Sequence, residues 1–526
     1  METASMSDLT LAEVARVAAD SPPDRIAIVF GNKKTSAGQL DLHANQIANG
    51  FWDLGLVDQE RVAILDHGSD HFYEIWLGAA RTNVVLAPLN TRLSVPEVAQ
   101  VLVDCKPRVL FVGADFAESI AQIRMQLPFV QHIIMMGDAF IAWRNEQSTV
   151  ASRATLSASD DCLQIYTSGT TGVPKGVQLT SENIFKAPLA ALATEERTPC
   201  RDIGPDDVVL LCLPHAHVAG SILGVFGLAR GARVVITKDF VPSEIVSLIE
   251  RERVTVTMMV PVMIRGLIAA IEHSKRTCAS LKTVIYGAAP MATSLLKKAM
   301  EILPHSGFSQ IYGLTETAGG LTYLTAEDHR AIATGNSDLS LSCGAASAGV
   351  EIRITNADGQ PVTTGEIGEI ICRSSSVMKG YWKRTEETRA VIRDGWFYTG
   401  DMGYLDHRGY LYICDRKRDM IITGGENVYP AEVENILSSH PAIEDVAVIG
   451  VPDDQWGESV KAVAVIKPGA FVSADELIAY ARSKIAGFKI PKSVDFVQVL
   501  PRNATGKVMR RLIKEPYWVD QPRGVA

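Results

Sequence analysis

The sequence predicts an α/β protein in two parts: a large N-terminal domain of layered α/β subdomains and a small α+β domain behind it. Three observations carry that expectation. The chain has 526 residues, too many for one compact core. Helix-like and strand-like runs alternate through its first part, the pattern of doubly wound layers. Near Asp415 the texture changes: a dense charge run, DRKRD, is followed by an α-β-β-α-β pattern of roughly 110 residues, an ordinary small-domain size.

Taken in order, Leu40, Ala44, Ile47, Ala48 and Phe51 recur at helical spacing and predict an amphipathic helix over LDLHANQIANGF. RVAIL from Arg61 reads as a buried strand. FYEIWLGAART (helix), VVLAPLN (strand), VPEVAQVLVDC (helix) and RVLFVG (strand) continue the alternation. STVASRATLSAS, small and polar, reads as a surface connection. Leu163 to Tyr166 and GVQL from Gly176 read as strands on either side of a loop. The plainest reading of DRKRD is a solvated turn. Beyond it, PAEVENIL opens with Pro430 at a helix N-terminus and puts Val433, Ile436 and Leu437 on one face. VAVIGV and KAVAVI read as strands, ADELIAYARSKI as a helix and SVDFVQVL as a last strand.

Composition narrows the class. Hydrophobic residues make up 47% and charged residues 21%, as in soluble globular proteins. A formal net charge of −9 argues against a general nucleic-acid binder. The eight cysteines are scattered without a CxxC pair and read as reduced, mostly structural thiols of a cytosolic protein. The acidic, amphipathic N-terminus lacks the features of a signal peptide. No apolar run reaches membrane-spanning length: VTVTMMVPVMI is interrupted by Pro261 and ends at Arg265. Peripheral membrane contact and oligomeric state, a dimer included, stay open.

The stretch YTSGTTGVPKG (Tyr166 to Gly176) combines three glycines with small hydroxyls and has a lysine just before its last glycine. Glycines let a backbone approach a ligand closely. Exposed amides and hydroxyls hydrogen-bond phosphate oxygens, and Lys175 supplies charge. It is not a Walker A loop, because Pro174 precedes the lysine and Gly176 follows it. A ligand-free hairpin is the bland alternative. The loop has company, in order: YGAAP (Tyr286 to Pro290), IYGLTET (Ile311 to Thr317), YTGD (Tyr398 to Asp401), DRKRDMIITGGENVYP (Asp415 to Pro430) and PRNATGKVMR (Pro501 to Arg510).

Along nearly the whole chain these motifs resemble the adenylate-forming superfamily of acyl-CoA synthetases, stand-alone adenylation domains and firefly-type luciferases. The resemblance implies joining of a carboxylic acid to ATP, giving acyl-adenylate and pyrophosphate, and then transfer of the acyl group to a thiol. It implies ATP, Mg²⁺ and CoA. Thr167, Ser168, Gly169, Thr170, Thr171, Gly172 and Lys175 would cradle the β- and γ-phosphates. Gly287, Ala288 and Ala289 would flank adenine, with Ala288 where a glycine is frequent. Tyr312, followed by Gly313, would stack on adenine; Thr315 would touch the α-phosphate; Glu316, with Thr167, would hold Mg²⁺, which prefers hard oxygen donors. Asp401 would accept both ribose hydroxyls, and Arg416 would reach ribose and phosphate. Lys507 would bridge the substrate carboxylate and the α-phosphate as charge develops.

The resemblance also implies domains at 1–414 and 419–526 around a hinge at 415–418, with Arg418 as pivot and the small domain mobile. After rotation, Gly424 and Gly425 would leave room for a pantetheine arm, although GG equally marks a tight turn. LPHAHVAG matches the family segment with a gate-like histidine, His217. For His215 a satisfied core histidine is the default, and metal binding by the pair has no supporting cluster. Val218, Ala219, Gly220 and Ser221, with Ala318, Gly319 and Gly320, would line a roomy apolar acyl pocket. That suits a medium- or long-chain fatty acid; an aryl or alicyclic acid is the runner-up. Loading of a carrier protein, luciferase-like oxygenation and a non-catalytic binding module are the competing functions.

Overall fold

The computed structural model describes residues 9–20, 22–151, 154–167, 174–193, 201, 203–289, 291–334, 337–416, 419–424, 426–453, 455–482, 484–502 and 507–519. Two large sheets organise the N-terminal part. The first has nine strands, six of them consecutive and parallel: Gly307–Tyr312, Thr283–Gly287, Val256–Met259, Val208–Leu211, Arg233–Ile236 and Ile26–Phe30. The second has seven strands. Its parallel core runs Asp161–Thr167, Val85–Pro88, Arg61–Leu65, Val109–Val112, His132–Met135, and the strand Lys175–Thr180 turns back antiparallel at one side.

Side-chain alternation explains why both sheets are covered on both faces. Ile28, Val209 and Val234 of the first sheet and Val62, Ile64 and Phe111 of the second share one central core. Their neighbours Val29, Leu210 and Val235 face a second core, while Ala63, Leu65 and Val112 face a third. The helix His71–Arg81, every residue of which is buried, and the helix Val218–Ala229 contribute to the central core between the sheets. The helices Pro242–Glu252, Pro261–Ser274 and Thr293–Ile302 cover the outside of the first sheet, and Val95–Cys105 with Ala117–Ile123 the outside of the second. Each aliphatic side chain fully buried in this seam contributes about 1.5–3 kcal/mol.

A five-stranded, largely antiparallel sheet follows: Val350–Thr355, Gly368–Ser374, Trp396–Leu405, Ile392–Arg393 and Leu411–Arg416. It was not anticipated from the sequence. Its last strand runs into the stretch expected as the hinge. The first residue of the charge run is not solvated: Asp415 is buried, accepts the Ala431 amide at 3.0 Å and pairs with Arg510 at 3.5 Å. Arg510 also pairs with Glu434 at 2.8 Å, so the charges neutralise one another inside the protein.

The small domain has its own cores. Strands Ile443–Asp453 and Gly457–Ile466 pair antiparallel, and Ser493–Phe496 joins the second in parallel. Val446, Val448, Val460 and Ala462 face the helices Pro430–Ser438 and Ala474–Arg482; Ala447, Ile449, Val463 and Val465 face Leu500 and Ile513 on the other side. A hairpin (Ile421–Thr423, Glu426–Val428) and the helix Arg510–Lys514 flank the expected pattern; three- and five-residue elements are too short to show a period. Among the described residues no helix is long and apolar enough to cross a membrane.

One polar cluster lies inside the N-terminal part. Glu74, on the central helix, accepts hydrogen bonds from His43 Nδ1 (2.8 Å), His71 Nδ1 (2.9 Å) and Arg144 Nη1 (2.7 Å). Among the described residues, Asp70, His71 and Glu74 are the group close enough to hold a metal ion, but Arg144 already neutralises the Glu74 carboxylate. Burial alone would raise the Glu74 carboxyl; hydrogen bonds from His43 and His71 outweigh it and hold the group well below its ordinary 4.5. A depressed folded-state pKa stabilises the fold above pH 4.5 and loses that contribution as pH falls toward the folded value. Glu74→Gln leaves Arg144 buried without its counter-charge and is expected to cost about 3–5 kcal/mol at pH 7. Thermal melts of wild type and variant should differ most near neutrality and converge as the pH is lowered below 4.5.

Candidate active site

Parallel strands direct their following loops to one edge, and ligand sites of α/β folds form there. Gly287 and Ile311 are register partners on adjacent parallel strands of the first sheet, so YGAAP and YGLTET leave it side by side. Ala288 stands in the left-handed region at φ +64°, the physical reason a glycine suits this position. After Tyr312 the chain makes a tight turn, Thr315–Thr317, ended by Ala318 at φ +49°. Gly313 admits no side chain, because a Cβ there would lie 1.5 Å from the Gly319 carbonyl oxygen. The segment from Tyr312 to Gly320 is therefore a loop closed on itself.

Polar groups gather at this loop. Asp401 and Arg416 face each other as cross-strand partners of the third sheet, and Arg416 Nε lies 2.5 Å from Asp401 Oδ1. Tyr312 donates its hydroxyl to Asp401 Oδ2 at 2.6 Å. Asp401 sits within a strand, not in the turn that the preceding glycine also allowed. Burial, and then the Asp401 charge, pushes the Tyr312 phenol far above its ordinary 10, so it stays a donor. A carboxylate has about four acceptor sites, so Asp401 retains capacity beyond these two bonds. Glu316, on the tight turn, accepts the Tyr381 hydroxyl at 2.8 Å through Oε1.

Thr167 and Lys175 are register partners that close the hairpin of the second sheet. Ser168, Gly169, Thr170, Thr171 and Gly172, expected between them as phosphate ligands, lie outside the described residues. Lys175 is paired with Glu387, and its Nζ lies 5.1 Å from the centre of the Tyr381 ring. Neither Tyr381 nor Glu387 was singled out from the sequence. Both come from KGYWKRTEET, which carries no period and no recognisable motif; only the Gly380–Tyr381 strand, paired to Gln178 and Val177, brings them to the site.

The same loop borders an apolar cavity of about 150 Å³. Ile203, Ile222, Leu223, Phe226, Met258 and Ile285 give it bulk, Ala288 lines it from the neighbouring strand end, and Gly313, Ala318, Gly319 and Gly320 form the part shared with the loop. Val218 and Ala219 line it too. Gly220 and Ser221, expected there, do not. A Cβ on Gly220 would lie 2.2 Å from the Pro214 carbonyl oxygen, and Ser221 donates its hydroxyl to the His215 carbonyl at 2.7 Å. Ile222 and Phe226 continue from Val218 at helical spacing, so a 3.6-residue count from the His217 segment would have found them. Asn183, Ser347 and Ser376 are the polar side chains among the lining residues, and none of that lining is charged.

His217 precedes the helix Val218–Ala229, and its Nε2 is buried with no hydrogen-bond partner among the described residues. Burial, then the Arg92 charge, lowers its pKa to about 4, so the imidazole is neutral near pH 7. His215 is a core residue as expected, stacked on Phe72 with ring centres 4.2 Å apart, but it is not satisfied: its Nδ1 also lacks a partner. Burial lowers it to about 3.

In the small domain, Gly424 (φ +59°) donates its amide to the Trp456 carbonyl at 2.9 Å, and the indole packs against it. Gly425 and Arg418 lie outside the described residues. Lys507 is half-buried next to Val508, whose backbone bridges to Arg502, and Met509 donates its amide to the Pro501 carbonyl at 2.8 Å. These bonds and the Val508 side chain anchor the lysine segment on the small-domain sheet.

Comparisons with known proteins identify the family. A family model described as AMP-binding enzyme matches residues 14–382, and one described as AMP-binding enzyme C-terminal domain matches residues 432–507. The chain is 34% identical to a fatty acid–[acyl-carrier-protein] ligase, ScoC, of Streptomyces coeruleorubidus, over 98% of both chains. It is 36% identical to the long-chain-fatty-acid–CoA ligase FadD13 of Mycobacterium tuberculosis, over 92% of this chain and 93% of that one. A feruloyl-CoA synthase of Amycolatopsis is 34% identical over 94% and 96%. The crystal structure of ATP-bound MatB from Rhodopseudomonas palustris superposes with a TM-score of 0.87 at 30% identity, covering 97% of this chain and 99% of that one. Apo MatB, at 29% identity and the same coverage, gives 0.78. By sequence along its whole length and by fold, the chain belongs to the AMP-binding enzyme family, the adenylate-forming superfamily.

Proposed function

We propose that the protein is an AMP-forming acyl-CoA ligase that activates a medium- or long-chain fatty acid with ATP and transfers the acyl group to CoA. One observation carries the reading. The loop from Tyr312 to Gly320 carries the polar groups Tyr312 and Glu316, bonded to Asp401 and Tyr381, and also lines the apolar cavity through Gly313, Ala318, Gly319 and Gly320. A carboxylic acid with its tail in the cavity would bring its carboxylate to the loop, beside the nucleotide groups. Proximity of two anions is the difficult part of this reaction, and a shared loop supplies it.

In this reading Asp401 and Arg416 hold the ribose, Thr167, residues 168–172 and Lys175 hold the β- and γ-phosphates, and Thr315 touches the α-phosphate. Gly287, Ala288, Ala289 and Tyr312 border adenine. Glu316 is a hard oxygen donor one hydrogen bond from Tyr381, whose ring faces Lys175, a donor type and place that fit Mg²⁺ with Thr167. When bound, Mg²⁺ would neutralise phosphate charge. A substrate carboxylate oxygen attacks the α-phosphorus, and the bond to pyrophosphate breaks. Lys507 stabilises the charge on the bridging oxygen. The CoA thiolate then attacks the acyl carbon and AMP leaves. Because Lys507 and the phosphate hairpin sit on different domains, residues 415–418 act as a hinge, and Gly424 and Gly425 admit the pantetheine arm after rotation. The better superposition on ATP-bound than on apo MatB supports an arrangement of the nucleotide-loaded kind.

The mostly apolar, uncharged lining supports a fatty acid over a dicarboxylate, and the names of two relatives point the same way. Feruloyl-CoA synthase and indoleacetate–CoA ligase among the relatives favour an aryl acid as the second reading. A coupled assay of C2 to C18 and aryl acids with CoA and with carrier protein decides: turnover on aryl acids alone, or with carrier protein alone, would overturn the corresponding half of the proposal. Ala219→Phe, which fills part of the cavity, should lower kcat/KM for C12 to C16 acids by roughly tenfold or more while sparing C6 to C8. Lys507→Ala should reduce acid-dependent ATP–pyrophosphate exchange by roughly a hundredfold or more, yet leave thioester formation from supplied acyl-AMP intact. Equal loss of both half-reactions would remove the role given to Lys507.

A further inference from the structure

We propose that Tyr381 is a positioning residue for adenylation: it orients Glu316 and Lys175 as a unit at the triphosphate end of the site. This deepens the reading above and rests on it, because it takes Glu316 as the Mg²⁺ ligand and Lys175 as the phosphate cation. Nothing in the sequence around Tyr381 announces such a role; its placement does.

Tyr381 is held from several directions. Its backbone pairs with Val177 at the margin of the second sheet, two residues along the strand from the Thr167–Lys175 closure. Its amide donates to Thr388 Oγ1 at 2.9 Å, and the next amide, Trp382, donates to the Gly176 carbonyl at 2.8 Å. The side chain is 8% exposed. So fixed, the hydroxyl donates to Glu316 Oε1 at 2.8 Å, and the ring stands 5.1 Å from Lys175 Nζ. Three residues earlier, the Met378 amide donates to the Glu316 carbonyl at 2.8 Å, so both main chain and side chain of Glu316 are tied to the segment that carries Tyr381.

The physical consequence is specific. A glutamate carboxylate on a turn rotates broadly about its terminal torsion. One donor on Oε1 removes that freedom and presents Oε2 in a set direction. The aromatic face meanwhile gives Lys175 a second attraction besides Glu387, one that persists when an incoming phosphate displaces that carboxylate. A packing tyrosine would account for the ring but not for a hydroxyl committed to this carboxylate.

Tyr381→Phe keeps the ring beneath Lys175 and removes the hydroxyl. Binding is read directly, by titrating Mn²⁺ into the full chain with ATP and following free Mn²⁺ by electron paramagnetic resonance; ATP affinity without divalent ion is measured alongside. Expected are roughly tenfold weaker Mn²⁺ binding in the presence of ATP, metal-free ATP affinity within about twofold of wild type, and no further loss when Tyr381→Phe is added to Glu316→Gln. If Glu316→Gln weakens Mn²⁺ binding but Tyr381→Phe does not, the proposal fails while the reading of the site stands. If Glu316→Gln has no effect, both fail. Should Tyr381→Phe also lower the melting temperature, the combined variant still decides: a loss that persists in the Glu316→Gln background overturns the positioning role.

Discussion

The closure of the loop from Tyr312 to Gly320 is the constraint on which the rest of the site depends. Gly313 lies so close to the Gly319 carbonyl that no side chain fits between them. That contact closes nine residues into one loop that meets both polar partners and the cavity. Tyr312 and Glu316 emerge toward Asp401 and Tyr381. Gly313, Ala318, Gly319 and Gly320 border the cavity. An acid and a nucleotide meeting at such a loop need no long-range coordination, because one backbone segment sets both positions.

The third sheet and the edge of the second supply the partners of that loop from far along the chain. Asp401 and Arg416 meet because the register of two antiparallel strands places them opposite each other. Tyr381 reaches Glu316 because a two-residue strand adds to the hairpin that carries Lys175. Charges that would be costly in isolation are thereby matched: Arg416 with Asp401, Lys175 with Glu387, and Arg510 with Asp415 and Glu434. The last group ties Asp415, in the strand Leu411–Arg416, to the helix Arg510–Lys514 that follows Lys507.

Hydrophobic sites follow a different logic from polar ones. The cavity has no charged lining residue, and its wall alternates bulky Ile, Leu, Met and Phe with Gly and Ala. Such a wall discriminates by volume and shape, not by hydrogen bonds, and a family that keeps its nucleotide groups can change its acid by exchanging a few of these side chains. The range of acids named among the relatives is consistent with that physics.

Much of the fold was readable because burial on both faces leaves continuous apolar runs, as in Arg61–Leu65, and because Val95–Cys105 repeats its apolar residues at helical spacing. The family was readable because its motifs are short segments of particular residue types standing in order along the chain. What only the tertiary structure decided was proximity between segments: Tyr381 at Glu316, Gly220 turned into packing, and Asp415 buried in a run that looked solvated. Periodicity and composition report which side of an element faces water. They do not report which distant side chain it faces instead, because that follows from strand register and sheet order, set by the whole chain at once.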